Sequence, residues 1–189
     1  ARTLRLAGPP GVPWGLVCAG AAQAASAVVA GLVVEGSAGR GCNAPTGASP
    51  PVPPPLRASR VDSPIVAYGG VCGGRSLAAA LTLGAEGAQM GTRMVSAAES
   101  PVHQNWKDAI INATEADTVV LGRSGSMAMR AMRTERTNAM EFDNDTAPMA
   151  AFGNPMDLYF GGAMEAGIAI GGQVAGRMRS VRPVAGAIH

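Results

Sequence analysis

Apolar positions along this chain fall in short runs punctuated by glycine and proline. After a Gly/Pro-rich lead-in over 1–11, Val12–Val17 predicts a short strand, weakened by Pro13 and Gly15. Ala19–Ala30 predicts a helix of small residues ending at Gly31, a good C-cap type, and Leu32–Glu35 a short strand. Gly36–Pro55 reads as a loop or disordered linker, with five prolines in its last six residues. Regular patterning resumes at residue 63. Pro64–Tyr68 predicts a strand closed by Gly69-Gly70, Arg75–Leu83 a helix closed by Gly84, and Gly87–Gly91 a second strand. Strand, helix and strand within about thirty residues make a βαβ unit with parallel strands. Pro101–Ala113 predicts a helix with Pro101 in its first turn, and Val119–Leu121 a further apolar piece. Ser126–Met140 reads as helical, since Met127, Arg130 and Arg133 or Met132 recur at helical spacing. Glu141–Asp145 is a solvated acidic patch, and Ala163–Met178 is small, apolar and Gly-rich. No repeat of fixed period runs through the chain.

Length and composition sharpen this picture. The 189 residues suffice for one domain with a real core, or for part of a larger one. A formal charge of +2 with no basic face argues against a nucleic-acid partner. Cys18, Cys42 and Cys72 are widely spaced, and the two histidines, His103 and His189, lie far apart. Such spacing does not make a metal site, and reduced thiols of a cytoplasmic protein are the preferred reading. Val12–Val34 carries no charge over about the length of a bilayer span. Its large aliphatic residues nevertheless cluster at its two ends, which favours strand, small-residue helix, strand over a membrane crossing. The chain opens on Ala1 with no basic segment leading into an apolar run, so a signal peptide is not expected.

Candidate chemistry sits in Pro64–Met94. Two glycine-bearing turns follow consecutive parallel strands there, and without a Cβ their backbone amides can approach an anion closely. Loops after the last two strands of a (β/α)8 barrel frequently build such a phosphate site. Gly69-Gly70 and Gly91-Thr92 are therefore expected to hold one phosphate from two sides, with the Thr92 hydroxyl as an extra donor. The competing reading is a pair of ordinary tight turns.

The same stretch resembles the nitronate monooxygenase (2-nitropropane dioxygenase) family. Pro64–Gly70 matches its P-[VI]-[IV]-A-x-G-G, and Leu83–Arg93 its L-G-A-x-G-[VA]-Q-M-G-T-R. Gly74–Leu81, Ser100–Ile110, Ala128–Arg133 and Gly172–Arg177 carry further family motifs. The resemblance implies a (β/α)8 barrel of which this chain holds the late strands, with FMN at the C-terminal mouth. Residues 1–62 would form a partial barrel segment with a Gly/Pro-rich loop over 36–60. Residues 63–189 would supply the last strands and helices with a C-terminal extension. The resemblance further implies that Gly70 binds the FMN phosphate and that Gln89, Met90, Gly91 and Thr92 form the flavin-contacting turn. Glu35 would stand beside the flavin, and Gly39 would match a family glycine if one residue is lost between Ser37 and Ala38. The implied reaction is oxidation of an alkyl nitronate with dioxygen. Related barrels with the same late motifs are enoyl-carrier-protein reductases and NADH:quinone reductases.

The sequence also departs from the family. Where the family reads E-A-G-G-H, with a histidine as acid/base, this chain reads EGSAGRGCN over Glu35–Asn43. Cys42 takes the histidine's place in an ungapped alignment, with no base partner evident. For His103, capping or packing at a helix start is favoured over proton transfer. The rival to an active enzyme is a non-catalytic family remnant. Its few parallel strands would leave two open edges, so it would fold only as an open α/β layer, by assembling with another copy as a homo-oligomer, or not at all.

Overall fold

A computed structural model describes residues 5–6, 14–17, 31–35, 41–43, 64–123, 128–143 and 147–188. Five strands form one sheet. They are β1 (Arg5–Leu6), β2 (Trp14–Val17), β3 (Gly31–Glu35), β5 (Ile65–Tyr68) and β6 (Gly87–Gln89), lying in that order. From β2 to β6 all pairings are parallel, and β1 runs antiparallel to β2 at the edge. Three short strands form a second sheet in the order β4 (Gly41–Asn43), β8 (Ala128–Met132), β7 (Thr118–Leu121), with antiparallel pairing throughout. The described part of the chain is thus α/β with a parallel main sheet.

The βαβ unit expected from the sequence is present. Helix α1 (Gly74–Thr82) connects β5 to its parallel neighbour β6. Its start is fixed by Ser76, whose Oγ accepts from the amides of Cys72 and Gly73 and donates to the Gly73 carbonyl. Its end is a left-handed Gly84 at φ 95°, which lets the Gly84 amide return to the Leu81 carbonyl. The two aliphatic ends of Val12–Val34 are the paired strands β2 and β3. The helix expected between them lies outside the described residues. Among those residues no helix is long and apolar enough to cross a membrane.

Four local expectations are corrected. Gly31 opens β3, where it pairs with Trp14. The Gly36–Pro55 segment contains β4, because Gly41–Asn43 finds an unfilled edge of β8 to pair with. Helix α3 (Gln104–Asn112) starts three residues after Pro101. His103 is its N-cap, with Nδ1 accepting from the Asn105 amide at 3.1 Å.

The fourth correction is the largest. Ser126–Met140 is not one helix: Ala128–Met132 is the central strand β8, and only Glu135–Glu141 is helical (α4). Helical spacing describes a segment with one buried face. Here Ala128, Met129, Ala131 and Met132 are all buried, so both faces are covered and the backbone is paired on two sides. Thr134 then ends the extended run by capping α4, its hydroxyl accepting from the Thr137 amide while Thr137 Oγ1 accepts from the Thr134 amide. Short helices α2 (Thr92–Val95) and α5 (Pro155–Tyr159) are the remaining α elements among the described residues, and the C-terminal region adds a 3-10 turn at Gln173–Arg177.

Apolar packing sits on both sides of β8. One cluster joins Trp106 and Ile110 of α3 to Met132, Leu158 of α5, Ala169 and the 3-10 turn residues Val174 and Ala175. Cys72 and Val95 pack against it and tie the βαβ unit to the same core. The other cluster holds Val119, Leu121, Met129, Ala131 and Ile168.

Candidate functional site

The C-terminal ends of β3, β5 and β6 lie side by side. Register places Glu35 opposite Tyr68, and Tyr68 opposite Gln89, so the three form one row across parallel strands. Glycine-bearing turns follow β5 and β6. After Tyr68 come Gly69 and Gly70, both buried and both at φ 86°. A side chain at either would be strained by roughly 1–2 kcal/mol, so the turn needs glycine for its shape alone.

After Gln89 the chain passes through Met90 and Gly91 into α2. Gly91 occupies the N-cap position with no side-chain cap bond. Thr92, the first residue of α2, is only 4% exposed. Because β5 and β6 are adjacent and parallel, the Gly69-Gly70 and Gly91-Thr92 turns leave the same edge of the sheet. The structure therefore brings together Glu35, Gly69, Gly70, Gln89, Met90, Gly91 and Thr92 by topology.

Gly39 lies outside the described residues. Cys42 belongs to β4, where it pairs with Met129 in the three-stranded sheet and not in the sheet that carries Glu35. His103, besides capping α3, has its ring against Gly162, and its amide donates to the Tyr159 carbonyl.

Three features around the turns carry no role in the sequence reading. Ser76 Oγ draws together the Cys72 and Gly73 amides, holding the exit of the first glycine turn. Arg93 follows Thr92 and is 5% exposed, with Nη1 donating to the Ser180 carbonyl at 3.2 Å. Burial, and after it the Arg182 guanidinium, holds Arg93 below the usual arginine range, while Cys72 acts in the opposite sense. The Gly172 amide donates to Thr92 Oγ1 at 2.8 Å, a buried bond across 80 positions of sequence. Arg93 and Gly172 both belong to recognised motifs, G-T-R and G-Q-V-A-G-R. Those motifs signalled their presence, but no local pattern could reveal that one braces the other.

Chemically, the two turns combine glycine backbone, a helix start and a threonine hydroxyl, the groups suited to a small oxyanion. Among the described residues no group of three or more His, Cys, Asp or Glu could hold a metal ion.

Comparison with known proteins gives this geometry a family. A protein named "Probable nitronate monooxygenase" from Staphylococcus saprophyticus is 37% identical over 94 residues, which is 50% of this chain and 26% of that protein. A (3aS,4S,5R,7aS)-5-hydroxy-7a-methyl-1-oxo-octahydro-1H-indene-4-carboxyl-CoA dehydrogenase from Rhodococcus jostii is 35% identical over 120 residues, covering 64% of this chain and 33% of that protein. Among solved structures, FabK from Thermotoga maritima aligns with a TM-score of 0.79 at 32% identity, over 90% of this chain and 56% of that one. A nitroalkane oxidase from Streptomyces ansochromogenes aligns with a TM-score of 0.64 at 22% identity, over 89% and 53%, a likeness of fold. The chain spans about a quarter to a third of the curated relatives it matches. The nitronate monooxygenase family model matches residues 17–189, from the end of β2 to the last residue, and the chain belongs to that family.

Proposed function

We propose that this chain is the late-strand part of a (β/α)8 flavin barrel, with residues 1–62 and 63–189 contributing to one FMN site. In this reading it takes part in the oxidation of alkyl nitronates by dioxygen. The observation that carries the reading is the pair of turns, Gly69-Gly70 at positive φ beside Gly91-Thr92, on adjacent parallel strands.

The donor set fits a phosphomonoester. Gly69, Gly70 and Gly91 present backbone without a Cβ in the way, Thr92 adds a hydroxyl, and neither turn contains a carboxylate that would repel the dianion. Gly70 and Thr92 would hold the phosphate of FMN, while Gln89 and Met90 would lie against the flavin and Glu35 would flank them. Gly39 joins this set on the family resemblance alone. The bound flavin supplies the electron transfer between nitronate and dioxygen, and the protein contributes binding and orientation. The acid/base stays unassigned in this reading: His103 serves as the N-cap of α3 through Nδ1, and Cys42 lies in the strand that pairs with β8.

A second reading keeps the flavin and changes the substrate to an acyl thioester, as in enoyl-carrier-protein reductases. It is favoured by the 35% identity over 120 residues to a carboxyl-CoA dehydrogenase. Both readings are tested on FMN-loaded protein. Oxygen uptake with nitrite release from ethyl nitronate supports the first. NAD(P)H-dependent reduction of crotonyl-CoA without oxygen uptake supports the second. Failure of both, with FMN bound, leaves a non-catalytic member of the family.

A further inference from the structure

Thr92 is the one side chain of the two turns that could donate to a phosphate, and a hydroxyl rotor must be aimed before it is useful. A neutral hydroxyl has one hydrogen and two lone pairs. The Gly172 amide occupies one lone pair of Thr92 Oγ1 at 2.8 Å. That bond turns the hydroxyl hydrogen away from Gly172 and makes it a stronger donor by polarising the oxygen.

Gly172 is itself rigidly held. Ala131 of β8 forms an antiparallel bridge with Ile170, and the Met132 amide donates to the Ala169 carbonyl at 2.6 Å. A Cβ on Gly171 would meet Met132 Sδ at 2.6 Å, so the backbone there lies directly on that side chain. On its far side Gly172 caps the 3-10 turn, its carbonyl accepting from the Ala175 amide at 3.0 Å. The segment 169–175 therefore connects β8, in the second sheet, to the turn after β6, in the first.

We propose that the Gly172 main-chain amide is a positioning group for phosphate recognition: it aims the Thr92 hydroxyl, and through it the C-terminal segment sets affinity for a phosphomonoester ligand. This rests on the phosphate-site reading above. It goes further by assigning the specificity for a phosphorylated over an unphosphorylated flavin to a contact 80 residues away in sequence.

The test compares FMN with riboflavin on the full chain by fluorescence titration. Replacing the amide between Gly171 and Gly172 by an ester, installed by semisynthesis of the full chain, removes the Gly172 N–H without placing any new atom against Thr92 Oγ1. Loss of one buried hydrogen-bond support corresponds to about a fivefold to tenfold loss of affinity. The ester chain is expected to weaken FMN by that factor and leave riboflavin unchanged. In a Thr92→Val background the ester should cause no further loss. If the ester chain fails to fold by circular dichroism, the Gly172 amide resonance of the all-amide chain serves instead. It should move downfield with FMN, and remain unmoved with riboflavin or in Thr92→Val. Unchanged FMN affinity in the folded ester chain, or an amide that ignores FMN, overturns the positioning role while leaving the phosphate site intact. A parent chain that binds FMN no better than riboflavin overturns the phosphate reading and the inference together.

Discussion

Replacing Thr137 by valine tests the junction where the chain turns from β8 into α4. Thr137 is fully buried, and its Oγ1 donates to the Met132 carbonyl at 2.9 Å while accepting from the Thr134 amide at 2.8 Å. Valine has the same shape, so apolar burial is preserved and the loss is confined to hydrogen bonding. Removing the donor to a buried carbonyl costs about 1–2 kcal/mol, and releasing the half-buried cap amide adds roughly 0.5–1 kcal/mol because water can reach it. The sum is about 2 kcal/mol, or roughly 4–8 °C in Tm for a chain of this size. Thr137→Ser keeps both bonds and loses one methyl, about 0.8 kcal/mol. Urea and thermal unfolding followed by circular dichroism would rank parent, serine and valine in that order. A valine variant as stable as the serine variant would refute the claim that this hydroxyl, and not packing, holds the junction.

Three further outcomes follow from the same geometry. Gly176→Ala places a Cβ against the Thr114 and Glu115 backbone, with the Thr114 carbonyl carbon at 2.5 Å, so it should destabilise by at least about 1–3 kcal/mol in chemical unfolding. Gly186→Ala, with nothing within 4 Å, should be neutral within about 0.5 kcal/mol, and equal costs at both sites would contradict the packing. The Asp117 carboxylate accepts from the Thr114 amide and hydroxyl, each at 2.7 Å, and these bonds hold it below the usual carboxylate range. A lowered folded pKa means its contribution is present above the unfolded value of about 3.9 and is lost as pH falls through the folded value. Asp117→Asn should accordingly lose less stability than the parent between pH 5 and pH 2 in urea titrations, and identical acid profiles would count against it.

How much of this was legible in the sequence depends on the range of the interactions. The βαβ unit could be read directly, since Gly69-Gly70, the run Arg75–Leu83 and Gly84 are local signals and the structure uses each where expected. Segment Ala128–Met132 could not. Methionine, alanine and arginine favour helices, and only two flanking strands and two apolar clusters make it extended, partners set by contacts far away in sequence. For α3 the SPVH motif was visible, but proline drew the predicted start to Pro101 although His103 provides the cap. Strand β4 was hidden for the opposite reason. Its glycine, cysteine and asparagine have no strand pattern of their own and extend by pairing with β8. In the site, glycine identity announced the turns, whereas the buried bond between Gly172 and Thr92 joins two motifs that nothing local relates.

Titration of the folded chain with FMN, read by flavin fluorescence and absorbance, asks whether the two glycine turns on adjacent parallel strands bind the phosphate of FMN, with Gly70→Asp and Thr92→Asp as controls that place a carboxylate at the turns. Saturable binding by the parent chain is expected, lost in both controls while their circular dichroism remains native. A folded parent chain that does not bind FMN, or controls that bind it equally well, would overturn the phosphate site.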